Sequence, residues 1–240
     1  MLTGIESRIL DDMVQSISEG KYTEHNRLPT ENELANYYNV PRIHAEKVYL
    51  QLEDMGFVYS TQGKGHFLTP EKQKVELQLA RNSSFSEKMR AVGYVSKTQN
   101  LGYIKIAYEE NVYAHLGVEA DEEVFKVSLL HFIESQPVAL QLSYVTKSVF
   151  PQIEREGDHI QSMSNYYEEQ GYRKSSCNKS AISITFPTSL ERSLFTCSRL
   201  VPLLVVESKC KASKQNHILA YTKMIYRSDS FSYVIEDISV

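Results

Sequence analysis

Residues 28–68 constrain the fold more than any other stretch, because several kinds of local signal follow one another there in a set order. Leu28-Pro29-Thr30-Glu31-Asn32-Glu33-Leu34-Ala35 places Thr30 and Glu33 at capping-box spacing. The threonine oxygen takes an orphan amide while the glutamate reaches back to the cap amide, so a short helix is expected to about Tyr38. Asn39-Val40-Pro41 makes a turn, and Pro41 suits the first position of the next helix. Ala45, Val48, Tyr49, Leu52 and Met55 then share one apolar face, with Arg42, Ile43, His44, Glu46, Lys47 and Gln51 wholly or largely off it. Gly56 stops that helix. Phe57–Thr61 reads as a strand, Gln62–Gly65 as a hairpin turn and His66–Leu68 as the return strand. Upstream, Ile5, Ile9, Met13 and Ile17, joined by Leu10 and Val14, mark an amphipathic helix ending near Gly20. Three helices and a glycine-tipped hairpin in about 70 residues describe a winged helix-turn-helix, its third helix placed to enter a major groove.

The 240 residues allow one or two domains, and 42% apolar with 23% charged residues is ordinary globular usage. Pro70 to Ser84 is charged, polar and short of core residues, and reads as a linker (70–84) between residues 1–69 and 85–240. Beyond it the strand-like runs are Val124–Ile133, Val138–Val145, Lys179–Phe186, Leu203–Lys211, Leu219–Tyr226 and Ser232–Ile238. They alternate irregularly with helical stretches at Ser86–Val92, Glu109–Leu116, Ile160–Gln170 and Leu190–Cys197. This predicts an α+β domain around one largely antiparallel sheet. Charge enters the chain too early for a secretory signal, and the longest apolar run, Leu200–Val206, is seven residues with a proline. Cys177, Cys197 and Cys210 are odd in number and widely spaced. They are expected to be separate packing cysteines in a reducing, cytoplasmic compartment.

These residues resemble the GntR superfamily of transcriptional regulators, HutC subfamily. Residues 28–68 follow its run L-P-S-E-x-E-L-A, then V-S-R-x-T-V-R-x-A-L, then L-x-x-x-G, then a G-x-G-x-F-V wing. The remainder is similar to its UTRA effector-binding domain through Phe85-Ser86-Glu87-Lys88-Met89 with Gly93, Gln136–Leu140 with Tyr144, and Tyr226-Arg227-Ser228-Asp229. The resemblance implies a chorismate-lyase-like C-terminal fold, a homodimer on a palindromic double-stranded DNA operator, and a small-molecule effector, most often carbohydrate-related. Most members are repressors released by that effector; no cofactor and no membrane partner are implied.

Carried over residue by residue, the resemblance implies DNA contact at Thr30, Asn32, Arg42, His44, Lys47, Lys64 and Gly65. Arg42 can fork onto guanine or clamp a phosphate, and Gly63 with Gly65 lets the wing backbone approach the minor groove. Against these stand ordinary readings: Thr30 as a cap alone, Arg42 as a surface charge. Pro41, His44 and Glu46 depart from the family's Ser, Thr and Arg, which forbids importing a relative's operator. In the second domain the implied effector contacts are Ser84, Phe85, Ser86, His131, Gln141, Ser162, Ser164 and Tyr226. Ser84-Phe85-Ser86 precedes a helix, a default anion site with Ser86 as the cap. Many sugar-phosphate sensors carry R-L-R and a glutamate where this chain has Leu129-Leu130-His131 and Gln141. A matched set of charges is absent, which points to a less polar or uncharged effector.

No G-x-S-x-G elbow, metal-spaced histidine pair, P-loop or Rossmann fingerprint occurs, so no catalytic or metal residues are assigned. Two other readings stand beside the sensor: a DNA-binding architectural protein whose second domain only dimerises, and, more remotely, a lyase-like enzyme. The net charge of −4 cuts against DNA binding. Its distribution sharpens the point: residues 1–70 hold six Lys/Arg against ten Asp/Glu, and the rest holds twenty of each. Placement within a Debye length of about 8 Å can outweigh that total.

Overall fold

A computed structural model describes residues 2–22, 26–69, 75–78, 84–172, 175–212 and 218–234. In chain order the first elements are α1 (Gly4–Ser18), α2 (Glu31–Tyr38), α3 (Arg42–Asp54), β1 (Val58–Thr61), β2 (Gly65–Leu68) and β3 (Val75–Gln78). There follow α4 (Phe85–Ala91), β4 (Ser96–Lys105), α5 (Glu110–Leu116), β5 (Val124–Ile133), β6 (Gln136–Thr146), α6 (Ile153–Glu156) and α7 (Met163–Glu169). The last are β7 (Ser175–Thr185), α8 (Ser189–Phe195), β8 (Leu203–Ala212), β9 (Ile218–Arg227) and β10 (Phe231–Val234). Two units result: residues 1–72 with 186–201, and residues 73–185 with 202–240.

In the first unit Thr3 and Glu6 form a capping box at the start of α1, and Thr30 with Glu33 does the same for α2. Asn39 ends α2 in the left-handed conformation (φ 51°), a role asparagine tolerates. Pro41 is the N-cap of α3 rather than its first helical residue. Ile9 and Met13 of α1, Leu34 and Ala35 of α2, and Ala45, Val48, Tyr49 and Leu52 of α3 form one buried cluster, closed by Val58. β1 and β2 pair antiparallel from Val58↔Leu68 to Thr61↔Gly65, and Gly63 and Gly65 take the positive φ values of the wing turn (74° and 103°). Residues 186–201 join this unit although they connect β7 to β8. Arg199 pairs with Asp54, the last residue of α3, at 2.7 Å, and the Leu200 amide donates to the Asp54 carbonyl at 3.2 Å.

The second unit is an α+β domain whose main sheet runs β4-β5-β6-β9-β8-β7, every neighbouring pair antiparallel. α5 covers one face with Val112, Tyr113 and Leu116 against Val124, Tyr144 and Tyr221. The other face carries two clusters. Phe125, Val127, Leu129, Val145 and Ala220 meet Phe150, Ile153, Met163, Tyr166 and Tyr167 from α6, α7 and their flanks. Ala139, Val206 and Tyr226 meet Phe85 and Met89 of α4 and Phe231 of β10.

Besides Pro41 and the placement of residues 186–201, three further sequence expectations change. The linker read at 70–84 contains β3, which pairs parallel with β10 from Val75↔Phe231 to Gln78↔Val234 and buries Val75; residues 70–74 and 79–83 lie outside the described residues. Its polar composition hid a two-residue-period strand whose partner lies 156 residues away (231 − 75). Strand β4 was not anticipated at all. Ser96-Lys97-Thr98-Gln99-Asn100 is polar because β4 is an edge strand, with a register shift between Asn100 and Tyr103 around Gly102 (φ 103°). The cysteine reading is corrected at Cys210, which is disulfide-bonded. The residue opposite it in the β7–β8 register is Cys177. Spacing along the chain carries no cross-strand register.

Candidate DNA interface and effector site

On the first unit the sequence-predicted DNA residues gather on α2, α3 and the wing. Thr30 accepts from the Glu33 amide at 3.2 Å and donates to the Glu33 carboxylate at 2.9 Å, so its hydroxyl is engaged as a cap. It also lines a groove of 240 Å³ with Glu31, Ser60–Gly63, Gly65 and His66, which brings the start of α2 beside the wing tip. Asn32 is exposed on the first turn of α2 and Lys64 is exposed at the wing turn.

The cations of α3 are not free. Arg42 donates through Nε to Glu31 at 2.8 Å and sits 3.0 Å from Glu46 one turn on. Glu46 is thereby explained: it holds the guanidinium instead of facing phosphates alone. His44 and Lys47 both turn to Glu6 of α1, at 2.8 and 2.9 Å. The Glu6 side chain is fully buried; the Thr3 amide, Lys47 and His44 together hold its carboxyl down to about 2. Sequence reasoning missed Glu6, although it lies three and seven residues before buried Ile9 and Met13. A carboxylate in an apolar stripe signals a buried charge pair.

On the second unit a chain of uncharged polar side chains crosses the sheet between its two apolar clusters. Successive residues of a strand alternate faces, and the register brings His131 of β5, Gln141 and Ser143 of β6 and Thr222 of β9 to the same one. Thr98 Oγ1 lies 3.0 Å from His131 Nδ1, and His131 Nε2 lies 3.3 Å from Gln141 Oε1. The Gln141 amide donates to Ser143 Oγ at 2.9 Å, and Ser143 meets Thr222 at 3.3 Å. Phe85 stacks on His131 with ring centres 4.4 Å apart. Burial pushes the His131 imidazole down to about 4, against the upward pull of Gln141, so it is neutral. Tyr167 of α7 brings a buried hydroxyl near Ser143 and Thr222, close enough to oppose the upward push of burial on its pKa. Like the Tyr166 hydroxyl, it makes no hydrogen bond of standard geometry. Thr98 continues into a cavity of 590 Å³ lined by Lys97, Gln99, Asn100, Phe132, Ser135, Asp158 and Gln161.

Phe85, His131 and Gln141 are thus brought together, and Tyr226 lies in the same cluster as Phe85, buried and edge-on to Phe231. The cap of α4 is Ser84 rather than Ser86, which sits in the first turn. The Glu87 amide is taken by Ser84 Oγ and the Ser84 amide by the Glu87 carboxylate, so the expected anion site is half filled by the protein's own acid. Ser162 caps α7 and lines a second cavity of 490 Å³ with Glu156 and Glu169; Ser164 is half-buried in the first turn of α7. α4 also presents Lys88, whose ammonium burial pushes below the usual lysine range. Among the described residues no group of three or more His, Cys, Asp or Glu is placed to hold a metal ion.

A winged helix-turn-helix unit and an α+β unit with a polar site on its sheet define a DNA-binding regulator with a small-molecule sensing domain. Residues 5–68 match the gntR family of bacterial regulatory proteins, and residues 91–232, more than half of the chain, match the UTRA domain. The chain belongs to this family of GntR regulators carrying a UTRA domain, which are transcriptional regulators and not enzymes. It is 31% identical over 142 residues to the HTH-type transcriptional regulator YurK of Bacillus subtilis, a match spanning 59% of this chain and 58% of YurK. It is 25% identical over 240 residues to the probable fructoselysine utilization operon transcriptional repressor of Escherichia coli, covering 97% of this chain and 93% of that one. The fold is similar to the crystal structure of PhnF from Mycobacterium smegmatis, at a TM-score of 0.60 and 18% identity over 89% of this chain and 93% of that one. Among the described residues no helix is long and apolar enough to cross a membrane.

Proposed function

We propose that this regulator acts in the cytoplasm as a homodimeric repressor on a palindromic operator. An uncharged, hydroxyl-bearing, carbohydrate-related effector, seated on the inner face of the β4-β5-β6-β9 sheet, releases it. The observation that carries this reading is the chain Thr98–His131–Gln141–Ser143–Thr222, none of whose members is charged, with the Tyr167 hydroxyl unpartnered beside it. A buried donor without a partner costs about 1–3 kcal/mol, a cost that a ligand hydroxyl placed there removes. Similar proteins are named for a fructoselysine operon and for mannosyl-D-glycerate transport and metabolism, which supports a sugar-like ligand. The contacts are supplied by His131, Gln141 and Phe85. Ser84 and Ser162 act as helix caps.

The test is calorimetric titration of the full-length protein with neutral sugars, amino sugars and their phosphate esters, paired with anisotropy on operator DNA and sedimentation. A neutral sugar that binds a dimer and weakens its DNA affinity supports the reading, with Gln141→Ala lowering sugar affinity at least tenfold and leaving DNA affinity alone. Binding of phosphate esters only, or of no ligand by a stable dimer, overturns it; the second result leaves a domain that only dimerises.

A further inference from the structure

Ala45, Val48, Tyr49 and Leu52 are buried and mark the inward side of α3. At about 100° per residue, the middle of the opposite side falls within about 30° of Ile43, Leu50, Lys47 and Asp54, of which Ile43 and Leu50 are 51% and 63% exposed. Asp54 stands at the C-terminal end of the helix and pairs with Arg199, and the other charged residues are engaged within the protein. Arg42 pairs with Glu46 and with Glu31 of α2, while His44 and Lys47 are drawn to Glu6 of α1. The outward residue of the first turn is therefore aliphatic: Ile43.

In a helix-turn-helix the N-terminal residues of the recognition helix reach the base edges, which places Ile43, in the first turn, at the floor of the groove. An isoleucine has no donor or acceptor to offer there. The one apolar group that a base pair presents in the major groove is the C5-methyl of thymine. We propose that Ile43 is a specificity-determining residue that reads a thymine methyl in each operator half-site. The inference rests on α3 docking in the major groove and goes beyond it by naming what the helix recognises. Packing against a second protein surface is the alternative occupant of the same ridge.

The experiment selects sites for the full-length protein from a random duplex library, then measures anisotropy on the selected site with each thymine replaced in turn by uracil. Wild-type protein is expected to lose about fourfold in affinity at one thymine per half-site, the value of one buried methyl group. Ile43→Ala, a substitution at an exposed position, is expected to bind the thymine and uracil forms of that site equally and to keep the wild-type circular dichroism spectrum. Persistence of the thymine preference in Ile43→Ala, or absence of any methyl-sensitive position, overturns the proposal. So does a change in sedimentation of Ile43→Ala without DNA, which assigns the ridge to a protein partner. Failure of the underlying docking reading is separately visible: it is shown if Arg42→Ala binds the selected site as tightly as wild type.

Discussion

His131 makes the effector domain sensitive to pH over a defined interval. The ring is 2% exposed, stacked on Phe85 and bonded at both nitrogens. Because the Gln141 amide nitrogen is committed to Ser143, its oxygen faces His131, so Nε2 donates and Nδ1 accepts from Thr98. Burial lowers the folded-state value from 6.5 to about 4. Below pH 6.5 the unfolded chain takes up a proton that the folded one refuses until about pH 4. Stability is thus full above 6.5 and falls by about 1.4 kcal/mol per pH unit beneath it, reaching a total loss of about 3 kcal/mol near pH 4. Between pH 7 and pH 5 the loss from this one group is about 2 kcal/mol. His131→Gln keeps a polar side chain but cannot titrate. Urea unfolding followed by far-ultraviolet circular dichroism, at half-unit steps from pH 4.5 to 7.5, gives the difference between variant and wild type. The wild-type advantage should shrink by about 2 kcal/mol from pH 7 to 5; parallel curves would refute a buried neutral imidazole.

Two further perturbations follow from the packing. Glu6→Gln removes the carboxylate that holds His44 and Lys47. With a folded-state pKa depressed to about 2, its stabilisation is present above pH 4.5 and fades as pH falls toward 2. Calorimetry should therefore show a lower melting temperature at pH 7 for the variant, and a smaller fall on acidification than in wild type. Gly157→Ala would place a Cβ 2.6 Å from the Tyr103 ring, whose hydroxyl is anchored to the Glu154 carbonyl at 2.5 Å. We expect a loss of about 1–3 kcal/mol in thermal denaturation, with part of it recovered by Tyr103→Leu in the double variant.

Legibility in the sequence varied with how local the cause was. Strand β5 was predicted at its observed bounds, because Val124–Ile133 is rich in apolar and β-branched residues, broken only by Lys126, Ser128 and His131, and is largely buried on both faces. The capping boxes of α2 and the turn glycines of the wing were equally plain, since each depends on residues within four of one another. β4 was invisible for the opposite reason: as an edge strand it alternates half-buried and exposed positions, and its composition reads as a loop. The cap of α4 shifted by two residues because Ser84 and Ser86 are chemically alike, and only the Glu87 carboxylate decides between them.

Taken alone, then, the sequence determined the two-domain plan, the helix-turn-helix with its wing and the antiparallel sheet. Propensity, periodicity and capping act over a few residues and are written into neighbouring letters. The tertiary structure alone decided which polar groups meet: Glu6 with Lys47 across 41 residues, Arg42 with Glu31, and Thr98 through His131 and Gln141 to Thr222. Side-chain electrostatics and hydrogen bonding fall off within a few ångströms, so they depend on which elements pack together and in what register. That is why the recognition helix, read from its letters as a row of charged contacts, presents exposed Ile43 and Leu50 beside charges already neutralised within the protein.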